Sequence, residues 1–129
     1  MSEEFKVEIV NPEKSFLSKE NVTEVVVPAF EGEMGILKDH ISIISFLKPG
    51  ILKVISKNNQ ESYFIEDGIL EFKDNELSIL TSTIFDLKNS DKTYISNSLK
   101  DAEKQLQNAD INDQKRYLLN QKIDTLRQI

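Results

Sequence analysis

The chain of 129 residues contains no cysteine, no tryptophan and only one histidine, His40. Without cysteine there is no disulfide, no thiolate nucleophile and no Cys-ligated metal, a composition compatible with a reducing compartment. A single imidazole excludes a histidine cluster. No apolar run approaches the roughly 18–20 residues that cross a bilayer. The start, Met1-Ser2-Glu3-Glu4-Phe5, lacks the basic and apolar regions of a signal peptide. Positive charge is also short: the formal net charge is −6, so nucleic acid is not expected as a partner, because phosphate binding needs a concentrated basic surface. No Walker loop, dinucleotide glycine motif or nucleophile elbow is present.

Glycine and proline are scarce as well, at four and three. Three of those glycines, two of the prolines and the histidine fall between Val27 and Gly50. Gly permits positive φ and Pro fixes φ, so the backbone punctuation is concentrated in one bend.

Around that bend the chain divides by charge and by period. Residues 1–87 carry 8 basic and 16 acidic side chains, a net of −8; residues 88–129 carry 8 and 6, a net of +2. In the first part, Phe5, Val7 and Ile9 alternate with mostly polar neighbours, as in a half-buried strand. Asn11-Pro12 breaks that run. A weaker segment, Lys14 to Ser18, precedes Val22 to Val27, which Pro28 is expected to stop. Ile41–Leu47, Ile51–Ser56, Tyr63–Ile65, Ile69–Phe72 and Leu77–Leu80 follow, with turn residues between them. Such spacing predicts an antiparallel sandwich or barrel, with no room for the crossover helices of a parallel sheet.

From about Asp86 the period becomes helical. Ile95, Leu99, Ala102 and Leu106 form one stripe, capped at its start by Ser90 or Asp91. Leu119, Ile123 and Leu126 form a second, with Tyr117 beside it. The expected fold is mixed β + α: an N-terminal antiparallel β-sandwich of about ten short strands over 1–87, then a C-terminal antiparallel two-helix hairpin over 88–129. Two helices alone enclose no interior, so the hairpin is expected to rest on the sandwich or on a partner.

Chemistry-bearing residues are few. Glu31, Glu33 and Asp39 lack the number and spacing of oxygen ligands that a calcium loop needs. A lone His40 beside Asp39 reads as structural rather than catalytic, and neither metal nor cofactor is expected. Apolar Phe30, Met34, Ile36 and Leu37 in the same bend have two readings. They plug one end of the sandwich, or they form a contact surface.

The stretch Val27-Pro28-x-x-Glu31-Gly32-Glu33-Met34-Gly35-Ile36-Leu37-x-x-His40, with Leu47-Lys48-Pro49-Gly50 and Gly68-Ile69-Leu70-Glu71, resembles the epsilon-subunit family of bacterial and chloroplast F-type ATP synthases, called delta in mitochondria. The resemblance spans essentially the whole chain. It implies a non-catalytic central-stalk subunit, peripheral on the cytoplasmic face of the bacterial inner membrane, that couples ring rotation to ATP synthesis. Implied partners are the gamma subunit, the polar loops of the c-ring and, through the hairpin, the alpha and beta subunits. Contact with the membrane is then only indirect.

Carried over by motif, Glu31, Gly32, Glu33, Met34, Gly35 and His40 bind the c-ring or gamma, with Glu31 and Glu33 on the ring and His40 on gamma. In the family's nucleotide motif Tyr94 and Ile95 stand where Arg and Ala would. Asp91 is its sole remnant, which argues against ATP binding. Asp67 replaces a glycine that often precedes Gly68. Longer relatives extend the second helix, and the end at Ile129 implies weak inhibition of hydrolysis at most. The competing expectation is a free-standing ligand-binding sandwich with a helical lid, its pocket formed by Glu31, Glu33 and His40.

Overall fold

Residues 3–88, 92–108 and 110–129 are described in a computed structural model. Strand β1 (Phe5–Asn11) buries Phe5, Val7 and Ile9 and exposes Lys6, as alternation requires. It is followed by β2 (Lys14–Ala29), β3 (Gly32–Leu37), β4 (Ile43–Leu47), β5 (Gly50–Ser56), β6 (Asn59–Ile65), β7 (Gly68–Lys73), β8 (Glu76–Leu80) and β9 (Ile84–Asp86). Helices α1 (Lys92–Leu106) and α2 (Asp113–Arg127) close the chain.

The long β2 belongs to both layers of the sandwich. Its first half pairs with β1, from Lys14↔Asn11 to Val22↔Phe5. Its second half pairs with β5 on one side and with β3 on the other. One layer is therefore β4–β7–β8–β1 and the start of β2; the other is β3, the end of β2, β5, β6 and β9. Both layers feed one core, which includes Val7, Ile9, Val25, Ile36, Leu52, Leu70, Phe72 and Ile79.

Four details differ from the expectation. The described residues hold nine strands where about ten were expected, and the two segments expected around Lys14–Ser18 and Val22–Val27 are one strand. Pro28 does not stop it: the strand continues to Ala29, and Pro28 sits opposite Glu33. The sheet is antiparallel except for β1–β8, which pair in parallel. No crossover helix is needed there, since six other strands lie between them in the chain. Lastly, part of the glycine-rich bend is itself a strand, β3.

Gly50 marks a close approach in this framework. A Cβ at that position would lie 2.5 Å from Cβ of Pro28, so β5 meets the end of β2 only without a side chain.

A polar brace joins the start of β2 to β6. Lys19 Nζ lies 2.6 Å from Glu61 Oε1, and the Tyr63 hydroxyl donates to Glu61 Oε2 at 2.6 Å. Lys19, then Tyr63, by hydrogen bonding, hold the Glu61 carboxyl below its ordinary range. Burial first, and the Glu61 hydrogen bond second, push the Tyr63 phenol above its usual 10.0. Above that pH the unfolded phenol releases its proton while the folded one retains it, so stability falls as pH rises past about 10. Urea titrations at pH 8 and 10.5 check this: Tyr63→Phe is expected to lose less stability across that interval than the unaltered chain.

The hairpin has its own small core of Ala102, Leu119 and Ile123, with Leu99, Leu106 and Ile111 against it. Asn112 caps α2 by accepting from the Lys115 N–H at 2.7 Å. The expected cap of α1, Ser90 or Asp91, lies outside the described residues. Helix α2 rests against β5, and Lys122 pairs with Glu66 at the end of β6. Tyr117 receives a hydrogen bond from Lys48 at 3.4 Å, and Tyr94 meets Phe85 edge-on at 5.4 Å.

Candidate functional site

The outward side of the first layer is built from three cross-strand rows. Inward side chains there are Leu47, Leu70, Phe72, Leu77 and Ile79, so their neighbours in each strand must face away from the core. Register then aligns Phe46, Ile69, Leu80 and Val10 in one row across β4, β7, β8 and β1. The next row is Ile44, Glu71, Ser78 and Glu8, and the third carries Lys73, Glu76 and Lys6.

The first row is apolar throughout. Phe46 is 61% exposed, Ile69 44% and Leu80 51%. Phe30, whose N–H reaches the Phe46 carbonyl at 3.4 Å, extends the row to the β2–β3 turn. Phe30, Phe46, Ile69 and Leu80 line an open groove of about 440 Å³, with Leu118 of α2 and Pro12 as further walls. Glu66 and Asp67 edge it. Asp67, the departure from the family glycine, accepts from the Ser82 N–H at 2.9 Å and from the Ser82 hydroxyl at 2.7 Å, fixing the loop after β8.

An apolar row bordered by a row bearing Glu8 and Glu71 has a definite chemical complement. It suits a surface with an apolar ridge and basic flanks.

The residues singled out by motif run along β3 and past both of its ends. Glu31 is exposed beside Gly32, whose φ of 131° lies where only glycine is at ease. Glu33 is also exposed, Gly35 faces outward, and Met34 is half-buried against the core. Ile36 is fully buried. Of the two readings of the bend, Met34 and Ile36 therefore follow the plug, while Phe30 and Leu37 stay outward.

His40 lies beyond the other end, after Leu37. Six strand residues at about 3.3 Å each put it roughly 20 Å from Glu31. A pocket joining Glu31, Glu33 and His40 does not form. Asp39 is likewise separated from the two glutamates. Asp91 lies outside the described residues, and Tyr94 is occupied against Phe85.

Comparison with known proteins bears on this arrangement. The model for the ATP synthase delta/epsilon chain, beta-sandwich domain, matches residues 4–86. The chain belongs to the ATP synthase delta/epsilon chain family. The ATP synthase epsilon chain of Pelagibacter ubique (strain HTCC1062) is 69% identical over 127 residues, covering 98% of each chain. The mitochondrial ATP synthase subunit delta of Yarrowia lipolytica is 33% identical over 110 residues, covering 84% of this chain and 68% of that one. In fold, the chain is similar to one in the mitochondrial ATP synthase OSCP/F1/c-ring structure of Euglena gracilis. There the TM-score is 0.79 at 21% identity, over 99% of this chain and 81% of the other. Membership in the delta/epsilon family displaces the free-standing ligand-binding reading. No helix among the described residues is long and apolar enough to cross a membrane.

Proposed function

We propose that this chain is a non-catalytic central-stalk subunit of an F-type ATP synthase that transmits rotation between ring and catalytic head. Family membership supports the assembly. The open apolar row Phe46–Ile69–Leu80–Val10 is the observation that carries the mode of attachment. In our reading this face docks the gamma subunit, and the Glu31–Gly32–Glu33 turn meets polar loops of the c-ring. The chain then sits peripherally, on the cytoplasmic side of the inner membrane if the source is bacterial. Residues 1–87 do the docking, and residues 88–129 form the appended hairpin.

The two contacts are separable because they use different parts of the surface. Changing Glu31 and Glu33 together to Gln is expected to leave binding to purified gamma within about twofold, since exposed charges each contribute little. Proton-driven ATP synthesis by the reconstituted complex is expected to fall several-fold. Equal loss of gamma binding, or unaltered coupling, would contradict the assignment of this turn to the ring.

A further inference from the structure

We infer that Ile41 is the apolar anchor of the gamma-docking face and that His40, its neighbour, is a positioning residue. This rests on the docking reading above and goes beyond it by naming the side chain that enters the partner. Ile41 is 76% exposed, more than any other large apolar side chain among the described residues. Leu37 at 52% and Ile44 at 66% flank it in sequence.

The loop bearing it is tied down at several points. Asp39 takes a φ of 66°, and its N–H donates to Oδ1 of Asn75 at 2.7 Å. In return the Asn75 amide donates to Oδ1 of Asp39 at 3.0 Å. Asn75 itself has a φ of 59°, a conformation that Asn tolerates better than most residues. The His40 N–H closes onto the Leu37 carbonyl at 3.1 Å.

The half-buried imidazole packs against the core. Its ring meets Phe72 edge-on, with centroids 5.9 Å apart. Its Nδ1–H donates to the carbonyl of Ile41 at 2.7 Å. His40 thus fixes the peptide that presents Ile41, and the contact made by this corner passes from the histidine to the isoleucine after it.

A naked isoleucine on a fastened loop has little conformational freedom left to lose on binding, which is what makes an efficient anchor. Its neighbours define the occupant. The strands end beside the loop with Lys73, Glu76 and Lys6, and the next row sets Ile44 beside Glu71 and Glu8, so the matching surface is an apolar socket with a rim of mixed charge.

The test is titration of the full-length chain with gamma purified from the same source. Burying a whole Ile side chain predicts that Ile41→Ser weakens binding by roughly ten- to a hundred-fold. The melting temperature is expected to stay put, because the side chain is exposed. His40→Ala is expected to weaken binding several-fold, and His40→Asn, whose amide can replace Nδ1–H, to recover most of that loss. An unchanged Kd for Ile41→Ser overturns the anchor alone. Asn no better than Ala at position 40 overturns the positioning role. Failure of the unaltered chain to bind gamma overturns the docking reading together with both.

Discussion

Phe46→Asp is expected to weaken gamma binding at least about a hundred-fold while the free chain stays folded. Phe46 is 61% exposed and lies in the apolar row between Phe30 and Ile69. Truncating a central aromatic at an interface costs upward of about 2 kcal/mol. Burying a carboxylate in its place adds a desolvation penalty of several kcal/mol, unrelieved where the opposing surface is apolar. In the free chain the new carboxylate remains in water, so the loss of stability stays within about 1 kcal/mol. Isothermal titration against gamma, with a urea melt of each variant, separates the two effects. Parallel loss of fold and binding would show that Phe46 acts through the core instead.

The second large effect runs the other way. Phe72→Ala is expected to cost about 3–5 kcal/mol of folding free energy, the range for removing a buried phenylalanine. Phe72 is 1% exposed, meets Phe5 edge-on at 5.6 Å, and supports the His40 ring from below. Single domains have roughly 5–15 kcal/mol to lose, so about a fifth or more of the total is at stake. For a chain of this length that corresponds to a fall of about 10–20 °C in melting temperature. Because the same ring carries His40, gamma binding measured well below the midpoint should also weaken several-fold. A melt shifted by less than about 3 °C would mean that the core repacks around the gap.

Much of this fold was legible from residues alone. The change from a period of two to a helical period separated strands from hairpin, and Leu119, Ile123 and Leu126 are buried where the stripe put them. Strand continuity was less legible. Pro28 reads as a terminator, yet β2 runs past it to Ala29, where β3 pairs alongside. The parallel β1–β8 pairing depends on contacts between residues some 70 positions apart, which no local pattern encodes.

The site was legible by motif but not by shape. Glycine, proline and histidine gathered between Val27 and Gly50 suggested one bend, whereas β3 holds Glu31 and His40 apart. Part of the docking face did leave a trace. Ile43-Ile44-Ser45-Phe46-Leu47 carries large apolar side chains on both faces of its strand, with Ser45 the one polar residue, unlike β1, whose outward positions begin with Lys6 and Glu8. A strand of that kind is covered on both sides or meets a partner, and here the outer side is open. Ile41 left no such trace, because its exposure follows from the Asp39–Asn75 tie across the chain.

Hydrogen exchange on the complex with gamma tests the central claim most directly. Amides of β4 and β7 and of the 38–42 loop are expected to gain protection on binding, while β5 and β6, on the layer that meets the hairpin, exchange as in the free chain. Protection confined to β5 and β6, with β4 and β7 unchanged, would contradict docking through the open apolar row.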